Sequence, residues 1–285
     1  MTVWVAALLG LVQGVFMFVP VSSTSHLALT QHWLEGQGHL SATPESPEML
    51  LLDLVLHSGT VVSIAVVFRG QIMALARDFR TERRTRRVDP ADPAPASQMI
   101  AMLGVATVAT GVLGLGVRLL AGGVFGDPRV IAALLVVTGG ILWWVDSTQP
   151  RGVVQVTVWI AVGVGLVQAL ALLPGLSRSG LTIAAAMALG MLREPAARFS
   201  FFLAIPTILA ATFVQAAEVV RLGEPVDLPV VSLLVGFVVA AVVGALALAL
   251  VLKLLYAGKF RFFSIYVWLL AAAVLVIGDA ATGGA

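Results

Sequence analysis

The chain has no cysteine, so disulfides and thiolate metal sites are excluded. Charge is scarce too: 11% of its 285 residues are charged, against 59% hydrophobic, with a mean hydropathy of +1.02. A soluble globular domain carries about twice that charge. The first apolar run, Val3 to Val19, has neither a basic leader nor a small-residue cleavage site, and it is not read as a removable signal. Nothing resembles a soluble domain or a low-complexity tail. The formal net charge is only +2 although the pI is about 9.5. The arginines cluster in short segments between apolar runs, a pattern that sets membrane orientation and does not fit a nucleic-acid partner.

What remains is an integral membrane protein whose sequence repeats itself. Gly10-Leu11-Val12-Gln13 returns as Gly165-Leu166-Val167-Gln168. A short apolar run, a proline and a hydroxyl-rich knot follow each copy. The first knot is Pro20-Val21-Ser22-Ser23-Thr24-Ser25-His26 and the second is Pro174-Gly175-Leu176-Ser177-Arg178-Ser179-Gly180. With one gap, Pro20 aligns with Pro174, Ser23 with Ser177 and Ser25 with Ser179. Polar, proline-broken segments are tolerated at membrane depth only where they line a protected cavity. The repetition predicts one site shared by both knots.

Neither limb around Pro20 (Val3–Val19 and Leu27–Leu34) reaches the roughly 20 residues a bilayer crossing needs. The pair predicts a re-entrant helical hairpin, followed by spans at Met49–Phe68, Gln98–Leu119 and Val130–Val145. Val153–Leu173 and Leu181–Leu192 repeat the hairpin around Pro174. Spans at Phe199–Ala217, Pro229–Leu252 and Phe262–Ile277 follow. The expected fold is therefore all-α and polytopic: a single integral membrane domain over 1–285, its repeats covering about 1–150 and 151–285. Each repeat holds one re-entrant hairpin plus three transmembrane helices. Three spans is an odd number, so the repeats should be inverted. The longest loop carries Arg69, Arg77, Arg80, Arg83, Arg84, Arg86 and Arg87, which places it in the cytoplasm and both termini outside. Within that loop, Asp89–Ala96 reads as a mobile linker.

The knots supply chemistry. Ser22, Ser23, Thr24 and Ser25 can donate to phosphate oxygens alongside backbone amides at a helix start. The same residues also suit an ordinary N-cap. His26 can move a proton near neutral pH or attack as a nucleophile. Arg178 offers a planar fork matched to phosphate; otherwise it forms a structural ion pair or snorkels. Asp53 and His57 stand four residues apart on one helical face. They suit a metal or the orientation of His26, or else plain interfacial roles. Trp143, Trp144 and Trp268 read as interface or packing aromatics. Gly111-x-x-Gly114 suits helix packing within one chain or between two, as in a homodimer.

The run Gln13-Gly14-x-x-x-Phe18-x-Pro20-Val21-Ser22-Ser23-Thr24-x-His26 resembles the first signature of the undecaprenyl-diphosphate phosphatases of the bacitracin-resistance type. Pro174-Gly175-Leu176-Ser177-Arg178-Ser179-Gly180-x-Thr182 resembles the second. His57-x-Gly59-Thr60 and Phe199-Ser200-Phe201-x-x-Ala204-x-Pro206 are similar to further family segments. The resemblance implies a multi-pass enzyme of the bacterial cytoplasmic membrane, with its active site facing the outer side. It would remove the terminal phosphate of undecaprenyl diphosphate and return the lipid carrier to cell-wall glycan synthesis. It implies Ser23, His26 and Arg178 as catalytic. Gln13, Ser22, Thr24, Ser25, Ser177, Ser179 and Thr182 would be substrate-binding residues. It also implies a divalent cation, Mg²⁺ or Ca²⁺. One departure stands out. The family signature carries glutamates where this chain has Gln13 and Met17, and Met17 is no ligand for a hard cation. Asp53 is the nearest replacement for metal binding. The alternatives are a polyprenyl-phosphate transporter built on broken helices, and a paralogue that binds lipid phosphate without hydrolysing it.

Overall fold

The computed structural model describes residues 1–40, 46–85, 95–120, 127–148, 152–223 and 228–282. Among them the chain forms eleven helices: α1 (Val3–Phe16), α2 (Ser23–Gly36), α3 (Pro47–Val67), α4 (Arg69–Thr85), α5 (Ala96–Leu120), α6 (Pro128–Ser147), α7 (Val158–Leu170), α8 (Arg178–Ala188), α9 (Arg193–Leu222), α10 (Val230–Tyr256) and α11 (Arg261–Thr282). The sole extended pairing among these residues is an isolated bridge between Val153 and Met191. Helices α3, α5, α6, α9 and α10 are long and apolar enough to cross a bilayer, and α11 adds a shorter apolar stretch. The protein is all-helical and multi-pass. At 14 residues each, α1 and α2 run about 21 Å, short of the hydrocarbon thickness. Helices α7 and α8 are shorter still.

The fold divides into two compact units, Met1–Val67 with Ala204–Val251, and Phe68–Leu203 with Leu252–Ala285. Neither coincides with a sequence repeat; each takes elements from both. In the first unit α1 packs on α2 and α3. Its core gathers Val5, Leu9, Leu27, Leu34, Leu52, Leu56 and Ala240. In the second, α5 packs on α7, α7 on α8, α6 on α8 and α11, and α4 on α5.

The repeated glycine does the same work in each unit. A Cβ on Gly10 of α1 would lie 2.6 Å from the Gly236 carbonyl of α10, and one on Gly165 of α7 would lie 2.5 Å from the Ala106 carbonyl of α5. Each hairpin's first helix thus meets, backbone to backbone, a span from the other half of the sequence. Thr110 reinforces the second contact by donating to the Ala106 and Gly165 carbonyls at 2.8 and 3.0 Å. Small residues let helices approach this closely where lipid supplies no hydrophobic drive. Gly10→Ala and Gly165→Ala should each destabilise the protein by about 1–3 kcal/mol through overpacking, read as a lower unfolding temperature in detergent. Of the Gly111-x-x-Gly114 pattern, Gly114 packs inside the chain against Leu172, whereas a Cβ on Gly111 meets open space.

The arginine-rich stretch departs from the expected loop: it is helical over Arg69–Thr85. Its Arg, Ala, Leu, Met and Gln content favours helix, and Ile72, Leu75 and Phe79 form a half-buried face. Glu82 of this helix accepts from the Ala96 and Ser97 amides at 2.8 and 2.9 Å, capping the start of α5. The Ser97 hydroxyl, with these amides, holds the Glu82 carboxyl below its ordinary range. Most of the linker expected at Asp89–Ala96, like Arg86 and Arg87, lies outside the described residues.

In the second unit a clasp joins α6, α9 and the α10–α11 turn. Buried Asp146 accepts from Arg193 Nη1 at 3.0 Å and from the Arg261 amide at 2.9 Å. Arg193 also donates to the Leu255 carbonyl at 3.2 Å. The guanidinium of Arg261 lies over the Trp143 ring, which stacks on Trp268. Trp143 and Trp268 are therefore packing aromatics. Removing one member of a largely buried pair strands the other. Asp146→Ala should cost about 3 kcal/mol of stability, measured by denaturation of the detergent-solubilised protein, and Asp146→Asn should recover part of it through the Arg261 amide.

Candidate functional site

Both knots lie at helix starts, but they are built differently. Helix α1 ends at Phe16, and Pro20 prevents its continuation. The chain must reverse within six residues to begin α2. It does so at Ser22, whose φ of 67° is the one positive value among the described non-glycine residues. Such a conformation costs of order 1–3 kcal/mol for a residue with a Cβ and persists where surrounding structure enforces it. The Ser22 hydroxyl does not cap α2. It pairs instead with Ser25 Oγ at 3.0 Å and Thr24 Oγ1 at 3.3 Å. The ordinary N-cap reading therefore fails for the first knot. Backbone amides at a helix start can hold an anion, aided by the helix dipole.

The strained turn also aims the Ser22 carbonyl at His26. The His26 Nδ1 lies 2.7 Å from that oxygen. A carbonyl only accepts, so Nδ1 carries the proton and Nε2 carries the lone pair. The ring stacks on Phe16, centroids 3.7 Å apart, and His26 is buried. Tautomer and ring plane are thus both fixed. Ser23 opens α2, half-buried, with its hydroxyl 3.9 Å from Met17 Sδ. Gln13, nearly fully buried, donates its amide to the same sulfur at 3.6 Å. Met17 therefore sits between two polar donors, an environment suited to a stronger acceptor than a thioether.

The second knot has a conventional start. Ser177 caps α8, accepting from the Gly180 amide at 3.2 Å. The positive φ here falls on Gly175, at 94°, where no Cβ penalty arises. A Cβ there would meet the Ile131 carbonyl at 2.6 Å. Thr138 of α6 fastens the turn, donating to the Gly175 carbonyl at 2.9 Å and accepting from the Ser177 amide at 3.3 Å. Thr182 donates to the Arg178 carbonyl at 2.8 Å and accepts from Ser200 of α9 at 2.5 Å. Arg178 is thus the first residue of a helix anchored by its neighbours on both sides. Ser179 is buried within the same turn.

The first unit thus gathers Gln13, Met17, Ser22, Ser23, Thr24, Ser25 and His26, and the second gathers Ser177, Arg178, Ser179 and Thr182. The parts played by Phe16 and Thr138 were not legible along the chain. Ser200 lay within a family-like segment without being singled out. The repeat partner of Gln13, Gln168, is buried and donates to Thr110 at 3.2 Å, which ties it to α5.

Asp53 and His57 do not pair through the carboxylate. His57 Nδ1 donates to the Asp53 main-chain carbonyl at 2.8 Å. Asp53 Oδ1 is buried with no hydrogen-bond partner among the described residues. Among those residues no group of three or more His, Asp or Glu could hold a metal. A caged resident ion does not fit this donor set. Mg²⁺, however, commonly takes one or two carboxylates and completes its shell with water and substrate phosphates. The orphaned Asp53 oxygen fits that lesser demand.

The family model described as bacitracin resistance protein BacA matches residues 6–273. The chain is 47% identical over 281 residues to a protein of Alkalilimnicola ehrlichii named undecaprenyl-diphosphatase, covering 96% of each. It is 46% identical over 280 residues to one of the same name from Halorhodospira halophila, covering 97% of this chain and 98% of the relative. A third, from Desulfatibacillum aliphaticivorans, is 38% identical over 277 residues, covering 94% of this chain and 96% of its own length. A chain of this repeat, these knots and this extent of likeness belongs to the bacitracin resistance protein BacA family.

Proposed function

We propose that this protein hydrolyses undecaprenyl diphosphate to undecaprenyl phosphate and inorganic phosphate, working in the cytoplasmic membrane with its site toward the outer face. The names of its relatives support the reaction. The observation that carries it to particular residues is the first knot: an α2 start without a side-chain cap, beside a histidine whose basic nitrogen is fixed by the Ser22 carbonyl.

The roles follow from this chemistry. Amides of α2 and the hydroxyls of Ser22, Thr24 and Ser25 hold phosphate oxygens. Arg178 holds the diphosphate, with Ser177, Ser179 and Thr182 shaping its turn. His26 takes a proton at Nε2 from Ser23 or from water, and the oxygen so activated attacks the terminal phosphorus. The bond from that phosphorus to the bridging oxygen breaks, and polyprenyl phosphate leaves with the electron pair. Where Ser23 attacks, water then releases the phosphate from it. A divalent cation held in part by Asp53 would neutralise charge on the diphosphate when bound.

Phosphate release from polyprenyl diphosphate by the purified protein in nanodiscs with Mg²⁺ or Ca²⁺ tests the reading. Release that depends on His26 is expected. Retained lipid binding without release would overturn hydrolysis and favour a carrier. Met17→Glu is the informative companion. A carboxylate there would accept from both the Gln13 amide and the Ser23 hydroxyl, making Ser23 a better nucleophile. Turnover should rise about tenfold, a modest share of what a positioned base contributes. Met17→Leu should leave it within a few-fold.

A further inference from the structure

The reaction gives no task to α4. This helix begins at Arg69, two residues after α3 ends at Val67, so its start lies where a membrane span meets the aqueous boundary. Its faces differ in chemistry. Ile72, Leu75 and Phe79 are half-buried. Met73, Ala76, Arg77, Arg80, Thr81 and Arg84 recur at steps of three and four on a separate, exposed face. These six side chains line a cleft of about 440 Å³. The acids of the helix engage only one arginine of that face. Glu82 is engaged by the α5 amides, and Asp78 meets Arg77 alone, at 3.3 Å. Arg80 and Arg84 have no carboxylate partner among the described residues. Met73, 64% exposed, adds an apolar tip at the end of the helix nearest the span.

We propose that this face binds the phosphate head groups of anionic phospholipids in the adjoining leaflet. The guanidiniums of Arg77, Arg80 and Arg84 would grip phosphate oxygens while Met73 dips toward the acyl boundary. A basic face with an apolar end, joined directly to a span, is the arrangement that holds a helix in the membrane interface. Phosphate suits the planar fork of arginine better than any neutral head group does. This site is separate from the diphosphate chemistry and independent of it.

The test uses the full chain in nanodiscs of phosphatidylcholine with or without phosphatidylglycerol. Retained lipid is counted by native mass spectrometry. Each arginine near an anionic surface contributes roughly a fivefold preference, so Arg77→Gln, Arg80→Gln and Arg84→Gln together should weaken phosphatidylglycerol retention about a hundredfold. The triple lysine variant should keep most of it, and turnover in the same discs reports folded protein. Raising salt should release the lipid from the parent chain, which guards against a misfolded variant. The absence of cysteine makes Met73→Cys a single labelling site, and its label should be quenched by lipids carrying a quencher near the head group. Equal retention by the glutamine variant, retention indifferent to salt, or a label beyond reach of the quencher would each overturn the proposal.

Discussion

Arg178→Ala should lower phosphate release by about four orders of magnitude, in the range expected when an arginine that stabilises a transferring phosphoryl group is removed. The fold should tolerate the change. Helix α8 is capped by Ser177, and Thr182 grips the main-chain carbonyl of residue 178 rather than its side chain. Thr182 is tied in turn to Ser200 of α9. An unfolding temperature close to that of the parent, with turnover gone, is therefore the expected pair of results. Arg178→Lys keeps the charge but loses the fork, and should recover only part of the rate. Turnover of Arg178→Ala within a few-fold of the parent would remove this residue from the phosphate site.

His26→Ala should cost about a thousandfold, within the range for loss of a general base. The geometry offers a sharper variant. An amide in His26→Asn can still donate to the Ser22 carbonyl, as Nδ1 does at 2.7 Å, but supplies no basic nitrogen. It should be as inactive as alanine. Substantial recovery by asparagine would mean that His26 only secures the turn. Rapid quench of the parent then separates the attacking groups. Phosphate trapped on Ser23 survives acid, phosphate trapped on His26 does not, and water as the nucleophile leaves neither.

Much of this protein was legible because lipid restricts what a sequence can do. Apolar runs of span length had to be helices, since backbone amides in hydrocarbon have no other partner. The limbs around Pro20 were too short to cross and those around Pro174 repeat the proline-broken pattern, and they form the paired short helices α1 with α2 and α7 with α8. The glycines of the repeat marked close helix contacts, although not which helices they would meet. That α1 approaches α10 at Gly236, and α7 approaches α5 at Ala106, depends on contacts between residues far apart in the chain. The arginine-rich segment was misread as a loop. Charge pattern reports which side of the membrane a segment occupies and says little about backbone conformation; the half-buried Ile72, Leu75 and Phe79 were the overlooked signal.

By itself, the sequence determined that the chain is helical, embedded in a bilayer, marked by a repeated Gly-Leu-Val-Gln motif, and equipped with two hydroxyl-rich knots. Those properties follow from hydropathy, residue type and local spacing. Only the tertiary structure decided that the knots differ, one ending in a capped helix and the other in a strained serine that leaves α2 without a side-chain cap. It alone decided the tautomer of His26, the place of Met17 between Gln13 and Ser23, and the isolation of the Asp53 carboxylate oxygen. Hydrogen bonds and burial depend on distances of a few ångströms between side chains, and no pattern along a chain encodes those until the chain has folded.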